Sequence, residues 1–441
     1  MKTTNRRDFI KNSLLGIIGM GFMSIKSRGN VRSGFTNNPP KIKDYRTLGR
    51  TGFKVSDIGT GACLNKNVFR AVLEAGVNFI ETSELYNKGN NERMIGEIIR
   101  DFDRKKLIIA TKAAWRLKEF ESTDDILNRA NASLERLQTD YIDCYMIHEA
   151  ENSARVKNRY FHEAMEQLKK EGKVRSVGLS CHGDRWWDNP ESMESIIQTA
   201  IDDGRFDVAF FPYNYFEPET GNKMLQACHD NNIGTMIMKS NPIIIYEFFD
   251  RLKQDMEKEG KKLPEHYTIA YGKYGPQVDY ARQFFRKYGI IDMEKIKEGA
   301  IQFILANKNV NTICGVFQTF DDVNKYIPLS GTTLSKRTAL LLQECREALG
   351  FLNCRMGCNL CEKACPNHIP VNTIMRYNYY FTNKHQEKYA MQQYAELQGQ
   401  KPDVCIDCEG FCEKACPYGV AVKFVLNIAH HQLSMEGPYY A

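Results

Sequence analysis

At 441 residues and 42% apolar side chains, the chain is long enough for two or three domains and a large buried core. Its 60 basic and 54 acidic residues leave a net charge of +6 spread over the whole length, with no basic block or aromatic-interleaved stripe, which argues against nucleic acid as a partner. Of the 14 cysteines, eight fall in two short runs after residue 353, a pattern that suggests metal, whereas Cys63, Cys144, Cys181, Cys228, Cys314 and Cys345 are scattered and read as small buried hydrophobes.

The chain opens on Asn5-Arg6-Arg7-Asp8-Phe9-Ile10-Lys11, followed by a mildly apolar run from Ser13 to Ile25. That run is too short to span a bilayer as a helix. It resembles a twin-arginine export signal, the alternative being a frayed basic helix. The resemblance implies export through the twin-arginine translocase, to the periplasm or to the outer face of the inner membrane. A polar stretch with Pro39-Pro40 then reads as a linker, so that residues 1–43 form signal and linker, 44–333 one domain, and 334–441 a linking helix and a second domain.

From Tyr45 onward, strand-like runs alternate with helical periodicity. The strands are expected at Val55 to Ala62, Val77 to Ile80, Leu107 to Thr111, Tyr141 to Ile147, Ser176 to Ser180, Val208 to Tyr213, Gly234 to Met238 and Thr312 to Val316. Between them, Asp124 to Leu137 carries Ile126, Ala130, Leu134 and Leu137 at helical spacing behind a start resembling a capping box at Ser122. Eight such strands imply an α/β fold, a (β/α)8 TIM barrel with its site at the C-terminal strand ends. An open doubly wound sheet is the alternative, although Gly59-Thr60-Gly61-Ala62-Cys63-Leu64 lacks the third glycine of a dinucleotide turn.

Polar groups gather at the ends of the early strands. The second ends in Glu81 with Tyr86 just beyond, the third in Lys112 and the fourth in His148. A phenol is a poor acid at neutral pH, and a nearby ammonium favours its phenolate. A carboxylate keeps the ammonium charged and oriented, and an imidazole can orient a carbonyl. Together these are parts for protonating a carbonyl oxygen while hydride arrives from elsewhere.

The segments Gly76-Val77-Asn78-Phe79-Ile80 through Glu92-Arg93-Met94-Ile95-Gly96, Ser133 to Asp143 with the following His148, and Gly172-Lys173-Val174-Arg175 leading to Gly178-Leu179-Ser180 resemble the aldo-keto reductases over roughly residues 44 to 330. The resemblance implies an oxidoreductase acting on a small-molecule carbonyl or alcohol, with Tyr86 as proton donor, Lys112 lowering its pKa, His148 orienting the carbonyl, and Glu81 standing where the family has an aspartate. It also implies an NAD(P) cofactor touched by Ser180, Met238, Lys239 and Gly315, although Phe210 replaces a glutamine that usually contacts the nicotinamide. Met238 could instead fill the barrel. An insertion between Ser240 and about Glu298, with a helical piece at Tyr246 to Lys258, is expected to be either a substrate-covering lid or a plain helical decoration.

The tail carries Cys354, Cys358, Cys361 and Cys365-Pro366, then Cys405, Cys408, Cys412 and Cys416-Pro417. Thiolates at such spacings wrap inorganic clusters, and the Cys-Pro endings resemble bacterial ferredoxins, with one extra residue in one gap of each run. The expectation is a small ferredoxin-like domain with two [4Fe-4S] clusters; four-thiolate zinc or a disulfide framework are the alternatives. In the ferredoxin arrangement Cys416 would join Cys354, Cys358 and Cys361, and Cys365 would join Cys405, Cys408 and Cys412. Such a protein would exchange electrons with a redox partner protein or a quinone-linked donor. Barrel and tail together resemble ferredoxin-tailed aldo-keto reductases; the rival function is an iron–sulfur electron-transfer protein with a degenerate barrel.

Overall fold

The computed structural model describes residues 39–434 apart from 64, 115–119, 183–190, 241–257, 259, 261, 263–264, 291–293, 316, 356 and 383–385. The twin-arginine stretch and all but the end of the expected 246–258 helix lie outside the described residues. Among the described residues no helix is long and apolar enough to cross a membrane.

A short hairpin comes first, β1 (Tyr45–Thr47) and β2 (Lys54–Ser56), paired antiparallel. Eight parallel strands then close into a barrel: β3 (Ile58–Thr60), β4 (Phe79–Glu81), β5 (Ile108–Ala114), β6 (Ile142–His148), β7 (Val174–Ser180), β8 (Val208–Pro212), β9 (Gly234–Met238) and β10 (Thr312–Gly315). Closure by β10 pairing β3 in parallel rules out the open doubly wound sheet. The expected first strand is interrupted at Asp57, whose carboxylate accepts from the Ser330 hydroxyl (2.7 Å) and the Gly331 amide (2.8 Å). The expected helix runs Thr123–Leu137, with the Ser122 hydroxyl accepting from the Asp125 amide as its cap.

Side chains alternate across each strand, so every second residue points into the barrel. Phe79, Ile108, Ala110, Cys144, Met146, Val208, Phe210, Met236, Met238 and Cys314 form the interior, and Leu48 and Val55 of the hairpin region join them. Continuing that period by one step gives Glu81, Lys112, His148 and Ser180 as inward positions at or near the C-terminal ends of β4 to β7. The alternation that fills the barrel thus also delivers polar groups to its mouth.

A second core draws Tyr215, Phe216, Ala281 and Phe284 together with Leu342, Ile374, Tyr379, Val425 and Ile428. The described part of the insertion, helix Glu265–Tyr288, therefore packs with the C-terminal residues, and its Lys273 pairs with Glu413 (2.5 Å). Helix Val371–Thr382, lying between the two cysteine runs, crosses to the barrel. Its Arg376 is 3.8 Å from Glu149, and Lys239 Nζ lies 5.4 Å from the ring centroids of both Tyr379 and Tyr380. The element that covers the mouth is this helix between the two cysteine runs.

Candidate active site

The ends of β4, β5 and β6 bring Glu81, Tyr86, Lys112 and His148 together. Lys112 is wholly buried, and its ammonium donates to Glu81 Oε1, to the Thr82 carbonyl (2.7 Å) and to the Tyr86 hydroxyl (3.4 Å). The Tyr86 phenol donates to the same Glu81 oxygen (3.1 Å). The His148 ring meets that of Tyr86 edge-on with centroids 5.7 Å apart, and Ser83 Oγ holds His148 Nδ1 at 3.0 Å. One carboxylate oxygen thus faces both the ammonium and the phenol.

Two residues outside that set explain how a glutamate fits. Cys314 Sγ donates to Glu81 Oε2 (3.3 Å). A side chain at Gly61 would place its Cβ 2.8 Å from Cys314 Sγ and 3.0 Å from Glu81 Oε2, so only glycine leaves room there. The Gly59–Gly61 pair, read in sequence only as an incomplete nucleotide turn, includes the gap that takes the longer acid. Phe210 adds its ring 5.7 Å from Lys112 Nζ. Tyr86 itself is held by a tight turn, with Asn87 and Lys88 both left-handed (φ 50° and 54°) and Gly89 closing it.

Burial dominates the electrostatics. It pulls Lys112 down to about 7, opposed by Cys314, Cys144 and Glu149. Burial also pushes Tyr86 well above its ordinary value, with Tyr380, Cys314, Tyr389 and Glu149 adding to the effect. Tyr86 is therefore a protonated phenol, and two of its charge neighbours, Tyr380 and Tyr389, come from the segment between the two cysteine runs.

The residues expected to touch a nucleotide lie around the same rim. The Ser180 hydroxyl accepts from the Glu149 amide (2.9 Å) and faces the Ile147 carbonyl (3.4 Å), so it braces the turn after β6. Met238 belongs to the barrel interior. The Gly315 carbonyl accepts from the Gly61 amide (2.6 Å). Lys239, buried, presents its charge toward the rings of Tyr379 and Tyr380.

In the C-terminal region, Cys365, Cys405, Cys408 and Cys412 line one cavity of about 330 Å³. Burial pushes Cys405 up to about 12, followed by the influence of Cys412, Cys365 and Cys408. Cys354 is raised well above its usual value by burial, then by Cys358, Cys361 and Cys416. Cys361 feels Cys412 as well as Cys358 and Cys416, which makes the two sets neighbours. Among the described residues no group of three or more His, Cys, Asp or Glu converges on a point that could hold a single metal ion.

Fold and site define a closed (β/α)8 barrel with a tyrosine, a lysine and a histidine at its mouth. The chain belongs to the aldo/keto reductase family, whose model matches residues 64–338. It is 28% identical over 216 residues to aldo-keto reductase YhdN of Bacillus subtilis (45% of this chain, 62% of that protein) and 28% identical over 220 residues to the NADH-specific methylglyoxal reductase of Escherichia coli (42% and 62%). It is 33% identical over 155 residues to L-galactose dehydrogenase of Arabidopsis thaliana (31% and 48%). The matched stretches thus span about half to three fifths of those relatives, 48% to 62%. An aldo-keto reductase from Bacillus halodurans superposes with a TM-score of 0.49 at 22% identity, covering 69% of this chain and 96% of that one.

Proposed function

We propose that the protein interconverts a small carbonyl compound and its alcohol with a nicotinamide nucleotide, and that its C-terminal domain carries two [4Fe-4S] clusters. The observation that carries the reading is the shared contact of Lys112 and Tyr86 with Glu81. When bound, the nucleotide supplies or accepts the hydride; Lys239, Ser180, Met238 and Gly315 are the residues we assign to it, and a buried cation at Lys239 suits its phosphates. Tyr86 gives its proton to the carbonyl oxygen. Lys112 offsets the charge left on the phenolate, Glu81 holds Lys112 in place, and His148, braced by Ser83, orients the carbonyl.

For the clusters, support comes from the donor set. Four thiols around one cavity, and four others acting on one another, match the two groups of the ferredoxin arrangement: Cys365, Cys405, Cys408, Cys412 and Cys354, Cys358, Cys361, Cys416. A zinc ion, with Zn–S bonds of about 2.3 Å, would draw its four sulfurs toward one point. A four-iron cluster spaces them around a cube. When bound, the clusters supply one-electron oxidation and reduction. Export by the twin-arginine route, with a redox partner protein or quinone-linked donor outside, completes the proposal. It rests on residues 5–25 of the sequence.

The Glu81–Lys112 contact argues against a degenerate barrel that only passes electrons. Tyr86→Phe tests the choice. The account expects nicotinamide-linked carbonyl turnover to fall by about 10²–10⁴-fold with the fold intact. Unchanged turnover would overturn it.

A further inference from the structure

The two cysteine sets sit differently against the barrel. Cys354, with Arg355, lines a cavity of about 470 Å³ whose other walls include Pro212, at the end of β8, and Lys239 and Tyr379. Gly357, inside the same run, is left-handed (φ 78°) and packs on the segment after β7: a Cβ there would stand 2.9 Å from the His182 carbonyl oxygen and 3.3 Å from Met193 Sδ. The cavity shared by Cys365, Cys405, Cys408 and Cys412 is walled instead by Pro366, Phe411 and Leu426 of the C-terminal region. Of the two clusters proposed above, the one held by Cys354, Cys358, Cys361 and Cys416 is therefore the inner one.

A charged pair joins that inner set to the barrel. Glu217, at the start of barrel helix Pro218–Asp230, holds Arg355 at 3.4 Å (Oε1 to Nη1), and both side chains are mostly buried. The Thr220 hydroxyl donates to the same Glu217 oxygen (3.1 Å). On its other side the Arg355 guanidinium lies 3.2 Å from the ring centroid of Tyr418. Arg355 adjoins Cys354, and Tyr418 is two residues from Cys416, so the guanidinium is clamped between the first and last cysteines of the inner set. Cys358 belongs to that set as well. Burial raises its thiol; Glu217 adds to the rise and Arg355 opposes it.

We infer that the Glu217–Arg355 pair sets the reduction potential of the inner cluster, Arg355 raising it and Glu217 lowering it, and so ties that cluster to the barrel. The inference rests on the two-cluster reading above. Reduction adds one electron to a cluster and breaks no bond, so a nearby charge acts on the electrostatic cost of the added negative charge. That cost falls beside a cation, rises beside an anion, and is larger where water is excluded. The outer cavity is walled by other residues, so its cluster should not follow the pair.

Potentiometric titration with dithionite, followed by EPR on the anaerobically purified full chain, tests this. The native protein should show two midpoint potentials. Arg355→Met should make reduction of one cluster less favourable by about threefold or more, about 28 mV for one electron, and Glu217→Gln should make reduction of the same cluster more favourable by a similar factor. The double variant should return near the native value, which a merely loosened interface would not do. Glu217→Gln, equal in size to the native residue, keeps the test decisive if Arg355→Met does not fold. In a Cys408→Ala chain, without the outer cluster, the potential that remains should still move with the pair. The proposal is overturned if neither potential moves, if both move together, if the two variants shift in the same direction, or if the effect disappears in Cys408→Ala. Two unmoved potentials would sink this inference and leave the clusters standing; a protein with no iron–sulfur signal would sink both.

Discussion

The barrel mouth and the cysteine-rich C-terminal region both bury ionisable side chains, but they balance them differently. Around the barrel, charges meet opposite charges within the chain: Lys112 meets Glu81, Arg129 meets Glu84, and Arg136 meets Glu92. In the C-terminal region the thiols meet other thiols and carboxylates: burial, then Glu217 and Cys416, pushes Cys358 up to about 11, and burial, then Glu413 and Cys365, pushes Cys412 up to about 12. A mouth of paired charges is organised before any ligand arrives. On the reading proposed here, the shell of thiols would be completed by a metal that displaces their protons, which would couple its folding to that metal.

The largest break in this contrast should come from Lys112→Met. It leaves the Glu81 carboxylate buried without its cation, a change worth about 3–5 kcal/mol. Urea denaturation should show the loss, and adding Glu81→Leu should restore much of it; a destabilisation of under about 1 kcal/mol would mean that the pair is not what holds the rim. Next, Cys408→Ala should remove one cluster. Hydrogen exchange in helices Val371–Thr382 and Val422–Ser434 should then rise by on the order of a hundredfold while β5 and β6 keep their protection. Equal loosening of both regions would contradict the separation drawn here.

The third effect is a pH dependence. Lys112, held down at about 7 by burial, carries its full charge below that pH and loses it above. Tyr86, pushed up, keeps its proton throughout. Carbonyl reduction should be fastest below about pH 7 and fall by up to about tenfold per unit above it. A profile of kcat that stays flat to about pH 9 would remove the ammonium from the mechanism. The smallest effect belongs to Ser180→Ala, which deletes the acceptor of the Glu149 amide and should cost about 1 kcal/mol in thermal stability.

Much of the mouth was legible because strand alternation is a sequence property. Once Phe79 and Ala110 are read as inward, Glu81 and Lys112 follow two residues later on the same face. The strand boundaries were legible to within a few residues for the same reason. Cys314 and Gly61 were not. Nothing local distinguishes a cysteine that contacts a carboxylate from one that fills a core, and the Gly61–Glu81 approach appears only when β10, β3 and β4 are side by side. Arg376 was hidden more deeply. It sits amid an aromatic run that reads as packing, and its relation to Glu149 depends on how a helix more than 220 residues further along the chain docks on the barrel. The insertion after β9 reads in sequence as either a lid or a plain helical decoration; its described helix, Glu265–Tyr288, packs into the second core, a contact that depends on residues far along the chain.

The proposal that the thiols of the C-terminal region hold metal, while the barrel mouth is paired within the protein, is tested most directly by analysing iron and acid-labile sulfide in the protein purified anaerobically from its native compartment. Two [4Fe-4S] clusters predict about eight iron and about eight sulfide per chain, together with a paramagnetic signal on reduction. Zinc in place of iron, or thiols that titrate as free in the native protein, would contradict the account.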